Sequence, residues 1–519
     1  MNRILVILAV VTCWPLSAAA GRHARDWRTD FINDARKEVE EFYREAMTER
    51  DAFRDSAFAR LNRWIDAPWE PRPMEEAVPV PHKDDRPVTP VILGQGEQEP
   101  PAEDVPVRDN APVVRVDSVR PDTKPLIPRG DAEPAVDRFA FRSYGTAYEA
   151  DASPGLRFTL GVSRGTDAQQ AVRETLDGLD RDAFLRLVAS LSAEAEEHAL
   201  SQWAYFRLVG DFAQAFMPGR VNEQRVLEGL LMIYEGYDVR FAQDDSGRIY
   251  RLLGCVELLP EHPYVVLDGK RFYAFEDSPA TLRIATGSMP GTECVSAKPS
   301  GRERFDMRRG EPHHVVLCDH SPHCCDNRCH KPLAEFDLTG NLNRMDFYAG
   351  CPMTVDGCDP DTKWNSYAGG LLSDEIRAQF YPALRKLIEG RTRLEAVNLL
   401  MKFVEAFDYG SDNEIWGGDR AFFAEETLHY PLRDCEDGAI LLTRLVRDLV
   451  GLPVALVYYP GHLAAAVAFD TYVSGAYLSD GGRRYTVCDP TYYYVDAGVQ
   501  MPASKVDAGA AVLIPVRND

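Results

Sequence analysis

Fifteen of the 35 prolines fall between residues 68 and 134, among acidic residues and few aromatics. Proline has no N–H for a helix or sheet ladder, and so polar a stretch cannot bury enough apolar surface to offset its own ordering. Residues 68–135 therefore read as an extended acidic linker, and the cores must be built from the flanking sequence. At 519 residues the chain exceeds one ordinary core, so two or three domains are expected.

Ahead of the linker, Arg3, the apolar run Ile4 to Val11 and Ala18-Ala19-Ala20 have the order of a secretory signal, residues 1–20. Cleavage near Ala20 implies export to the periplasm or the extracellular space, where disulfides form. Residues 21–67 form one amphipathic helix, with Trp27, Phe31, Ala35, Val39, Phe42, Phe53, Leu61 and Trp64 on its apolar stripe. It is expected to dock on a later domain, or to bind a protein partner. No other segment is apolar enough to span a membrane. A net charge of −23 argues against nucleic acid and anionic lipid as partners.

Residues 136–312 alternate between strand and helix patterns and predict a middle α+β domain. "RFAFRSYG" and "LRFTLGV" read as strands, and helices are predicted over 167–180, 182–215 and 222–235. Strand-like runs follow, with Asp268-Gly269 as a hairpin turn. Residues 313–365 form a Cys- and His-rich insertion holding five of the eleven histidines between 313 and 330. Disulfides and a zinc site across Cys318 to Cys358 both fit the residue types, and the oxidising compartment favours disulfides. Eight cysteines, Cys255, Cys294, Cys318, Cys324, Cys325, Cys329, Cys351 and Cys358, are even in number and can all pair. No cofactor or metal is expected at the catalytic residues.

The last domain, 366–519, carries the chemistry. Behind Cys435, the residues Ala439, Ile440, Leu442, Leu445, Val446 and Leu449 recur with helical period until Gly451-Leu452-Pro453 stops them. Cys435 thus sits in the first turn of a buried helix, where unpaired N–H groups and the dipole favour a thiolate. Glu436 and Asp437 oppose the thiolate if they point at the sulfur, so a cationic neighbour is required. His462 opens the strand "HLAAAVAF", and Asp489 closes the strand "RRYTVCD". A helix N-terminal cysteine, a histidine and an aspartate, 27 residues apart at each step, have the make-up of an acyl-transfer triad: nucleophile, base and orienting acid. The N–H of Cys435 is one donor for the oxyanion. Trp416 and Tyr430 are candidate second donors, with aromatic packing the simpler role for each. Tyr492, Tyr493 and Tyr494 could line a specificity pocket, with packing again the simpler role.

"YPLRDCEDGAILLTRLVRDLVGLPVALV", "YYPGHLAAAVAF" and "YTVCDPTY" resemble the core motifs of the transglutaminase-like superfamily, most nearly the bacterial transglutaminase-like cysteine proteinase type. The resemblance covers residues 380–500. It implies an α+β, papain-like core in which the helix bearing Cys435 packs on an antiparallel sheet, with His462 as base and Asp489 as acid. The layout of helix, linker and middle domain is similar to long exported proteins of this kind in the Bacteroidetes. The function implied is a thiol enzyme acting on peptide or isopeptide amides of a protein or peptide substrate, by hydrolysis rather than transamidation. The alternative is a non-catalytic exported scaffold that kept the fold, for which a Cys435–Cys488 disulfide would speak.

"NEQRVLEGLLMIYEGYDVRF" (222–241) aligns without a gap on "DGAILLTRLVRDLVGLPVAL" (437–456), with Arg220 at the place of Cys435. Two readings of this are open: the middle domain is a degenerate copy of the catalytic fold, or the match is chance between two helix-Gly-strand units.

Overall fold

The structure is a computed structural model and describes residues 59, 61–77, 91–92, 137–162, 167–287, 293–319, 332–355, 363–412 and 416–516. The signal sequence, most of the amphipathic helix, and Cys324, Cys325, Cys329 and Cys358 lie outside them. Helices and antiparallel sheets make an α+β protein.

The end of the predicted amphipathic helix is helical at 61–66, and Leu61, Trp64 and Ile65 are buried in the first core. The linker begins differently from expectation. Trp69–Pro73 form strand β1, an edge of the first sheet, and Trp69 is buried. Its prolines are tolerated there because an edge strand uses only one side of its ladder. Val91–Ile92 (β2) pair in parallel with Tyr492–Tyr493. Then β3 (Arg138–Ser143) and β4 (Thr146–Asp151) form a hairpin.

"LRFTLGV" is not a strand. The N–H of Leu160 donates to Glu223 and the carbonyl of Phe158 accepts from Arg220 Nη1, so side chains at the start of the fourth helix satisfy this backbone instead of a ladder. Four helices follow: α1 (Ala168–Gly178), α2 (Arg181–Glu197), α3 (Gln202–Phe216) and α4 (Val221–Tyr234). The single helix predicted over 182–215 is two, because Ala199 turns at φ +49° and Ser201 caps α3. Strands β5 (Val239–Gln243), β6 (Ile249–Cys255), β7 (Tyr264–Leu267), β8 (Lys270–Tyr273) and β9 (Thr281–Ala285) complete the first sheet, in the order β1-β9-β5-β6-β8-β7.

The described parts of residues 313–365 pack on both cores. Hairpin β10 (His313–Cys318) and β11 (Pro332–Leu338) places Val315, Leu317, Phe336 and Leu338 in the C-terminal core. Helix α5 (Leu342–Ala349) places Met345, Phe347 and Tyr348 in the first core. Each element buries its apolar face against the nearer core and leaves polar residues such as His314, Glu335, Asp337 and Asp346 exposed. No disulfide joins the described cysteines; Cys255, Cys294, Cys351 and Cys488 are thiols. Of the eight, Cys255, Cys294 and Cys351 therefore do not take part in the pairing that the even count allows. The Cys255 thiol points back to the carbonyl of Leu253 on its own strand, and burial pushes its pKa up.

Helices α6 (Lys363–Gly369), α7 (Asp374–Ile388) and α8 (Arg393–Glu405) lead to β12 (Asp408–Tyr409), α9 (Ala424–His429) and β13 (Leu432–Arg433). Helix α10 (Cys435–Leu445) follows and runs on in a wider π turn to Gly451. The second sheet comprises β14 (Val454–Tyr459), β15 (His462–Val467), β16 (Tyr477–Asp480), β17 (Arg483–Cys488) and β19 (Val512–Pro515), with Tyr492–Tyr493 forming β18. Its order is β16-β17-β15-β14-β19. One face meets α10, while the other is covered by Tyr492, Val495, Met501 and Val506. Burial on both faces explains why "VALVYY" and "HLAAAV" read as unbroken apolar runs.

Candidate active site

Helix α10 begins at a reciprocal cap. Asp434 is its N-cap: its carboxylate accepts from the N–H of Glu436, and Asp437 reaches back to the N–H of Asp434. Cys435 is the first helical residue and is fully buried. Helix α10 packs across β15, whose first residue is His462. Strand β17 pairs with β15, Cys488 opposite Ala465, so Asp489 emerges beside the start of β15.

The structure brings His462 and Asp489 together: Nε2 lies 2.7 Å from Asp489 Oδ2, and both residues are about 1% exposed. The other carboxylate oxygen accepts from the N–H of Thr491 at 2.9 Å. An ionised aspartate accepts only, so it takes Nε2–H and leaves Nδ1 as the basic nitrogen. That nitrogen is buried and has no hydrogen-bond partner among the described residues. The ring lies near-parallel to Tyr459, at 5.9 Å between centroids.

Asp437 and Glu436 behave differently. Asp437 faces away from the thiol, accepting from the N–H groups of Phe422 and Asp434. Burial, then Glu436 and Asp412, pushes its pKa well up. Glu436 does not face away: the Cys435 thiol donates to its Oε2 at 3.1 Å. A buried like charge at that distance disfavours the thiolate.

Two groups absent from the sequence reading bear on this. Arg433 is a buried cation whose guanidinium donates to the carbonyls of Asp434, Val404 and Pro490, each at 3.2 Å. It ties the residue before Cys435 to the residue after Asp489. Gly438 makes room for it, since a Cβ there would lie 2.7 Å from Arg433 Nη1. The other group is carboxylate: Asp412, Asp419 and Glu436 bring one oxygen each within 4.8 Å of one another. All-oxygen donors of this sort suit a hard cation. Lys363 Nζ, 3.8 Å from Asp419, already supplies one countercharge. The only sequence signal for either group was an unremarkable acidic or basic residue in a polar stretch.

Trp416 and Tyr430 pack on each other. They meet edge to face at 5.1 Å, with Arg420 stacked on Trp416 at 4.4 Å. Tyr492 and Tyr493 are buried in β18. Comparison with protein-family models, with curated proteins and with solved structures finds no match.

Proposed function

We propose that this chain is an exported thiol enzyme of the transglutaminase-like type, with a papain-like core, that cleaves peptide or isopeptide amides. The observation that carries the reading is the buried 2.7 Å contact between His462 and Asp489 on the sheet against which the helix bearing Cys435 is packed. Burying two ionisable groups is costly unless they are paired, and a histidine held by one nitrogen with the other left basic suits proton transfer. Cys435 Sγ bonds to the carbonyl carbon as its proton passes to His462 Nδ1. The same proton goes to the amine as the C–N bond breaks. Water then hydrolyses the thioester, regenerating the thiol. The N–H of Cys435 is the donor assigned to the oxyanion. Hydrolysis is preferred because nothing marks a site for an amine acceptor.

The scaffold reading draws on one observation, the Glu436 carboxylate on the thiol. Peptide-library turnover separates the two. Cys435→Ala is expected to lower turnover more than about a thousandfold, with Cys488→Ala as the fold control. Iodoacetamide is expected to label Cys435 ahead of the other thiols. Turnover that survives Cys435→Ala excludes the enzyme reading.

A further inference from the structure

The two sheets share more than architecture. Setting β1 aside, the first runs β7-β8-β6-β5-β9 and the second β16-β17-β15-β14-β19, which is one strand order. The corresponding pairs are antiparallel in both. The agreement extends to single residues. Helix α4 is followed by Gly236 at φ +99° and the α10 run by Gly451 at φ +72°, and the first strands then begin at Val239 and Val454. Val239 faces Leu253 as Val454 faces Val467. Leu253 faces Tyr273 as Val467 faces Thr486. Two backbone bonds outside the ladders recur: Gly254 N–H to Asp238 as Ala468 to Pro453, and Ala274 to Pro263 as Val487 to Ala476.

Following these registers, Arg220 falls at the place of Cys435. Tyr459 faces His462, and the corresponding pair is Asp244 and Arg248, joined by a 3.1 Å backbone bond. Glu276 follows Tyr273 as Asp489 follows Thr486. Arg248 Nη2 donates to Glu276 Oε2 at 3.1 Å, where the second sheet has His462 on Asp489. Glu276 also takes Arg225 at 2.7 Å.

We propose that the middle domain is a second copy of the Cys435-bearing module whose triad positions have become Arg220, Arg248 and Glu276, and that it binds a carboxylate-bearing ligand in the cavity beside them. That cavity, of about 290 Å³, lies against the start of α4 and is lined by Val221, Arg225, Glu228 and Arg251 from the copied module, with Phe206 and Arg207 from α3. A volume of this size suits a small acid or the end of a peptide. Arg225 is committed to Glu228 and Glu276. Arg251 is not fully committed: Nε binds Glu228 at 2.5 Å, but Nη1 is buried and has no hydrogen-bond partner among the described residues. The residue is 4% exposed and stacked on Phe206 at 4.3 Å. A buried guanidinium N–H left without an acceptor is costly, and a ligand carboxylate supplies one. Asp211, also on the wall, accepts from Ser143 at 2.6 Å, and burial raises its pKa. The N-cap of α4 makes no side-chain hydrogen bond, which leaves that helix end suited to an anion.

The inference does not depend on Cys435 being a nucleophile. Titration calorimetry of the full chain tests it with succinate, an N-acetylated pentapeptide without charged side chains and with a free C-terminal carboxylate, and the same peptide as its amide. One or both carboxylates are expected to bind with Kd below about 1 mM while the amide does not, and which of the two binds identifies the source. Arg251→Gln and Val221→Trp are each expected to weaken binding at least about tenfold. Val221 is 46% exposed, so its replacement fills the mouth of the cavity without disturbing the core. Cys435→Ala is expected to bind as wild type, so loss of the enzyme reading leaves this one standing. Silence from both carboxylates, equal affinity for acid and amide, or unchanged affinity in both cavity variants overturns it.

Discussion

At the head of α10, the Cys435 thiol donates to Glu436 Oε2 at 3.1 Å within a fully buried setting. The helix dipole and Arg433 favour negative charge near Asp434, whereas Glu436 disfavours it on the sulfur. Glu436→Gln keeps the shape and removes the like charge. The pH midpoint of iodoacetamide labelling at Cys435 is therefore expected to fall by about one unit. A midpoint that stays or rises shows that Glu436 does not control the thiol. The cysteine, histidine and aspartate were legible as residue types in order. The orientation of Glu436 was not, because rotamers near a helix start are chosen by what surrounds them.

Among elements, the α10–β14 connection is the one most fully written in the chain. Apolar periodicity ends at Gly451, which adopts φ +72°. A Cβ at that position would meet nothing within 4 Å, so an alanine there is strained by backbone alone. Gly451→Ala is expected to cost about 1–2 kcal/mol in chemical denaturation. An unchanged midpoint would mean that the turn relaxes freely. Elements departed from the local pattern where a ladder partner was missing, or was supplied from far along the chain. "LRFTLGV" alternates like a strand, yet the side chains of Glu223 and Arg220 satisfy its backbone. Trp69–Pro73 lies in a proline-rich stretch, yet Trp69 pairs with Ala285 and fills the first core.

Across the molecule, buried carboxylates set a pH dependence. Burial pushes Glu405 up to about 8, with Arg433 pulling it partly back and Asp489 adding to the rise. The folded state therefore holds a proton that the unfolded chain releases near the ordinary carboxylate value. From there to about pH 8, the folded chain binds more protons than the unfolded one, so stability falls as pH rises, by at most about 1.4 kcal/mol per pH unit. Above pH 8 the loss from this group is complete. Glu405→Gln is expected to flatten that part of the stability profile, measured by denaturation between pH 5 and about 9. A variant with the wild-type slope assigns the slope to other groups, such as Glu426, which burial raises to about 7.

Periodicity, stop signals and residue order sufficed for the helix of Cys435, the strands that follow it and the α+β class, because each depends on neighbours in sequence. The pairing of β1 with β9, the division of the β10–β11 hairpin and α5 between two cores, and the Arg248–Glu276 pair at the counterpart of His462–Asp489 depend on residues far apart in the chain. Such contacts are settled by which surfaces exclude water together once the sheets have formed, and no local pattern encodes that choice.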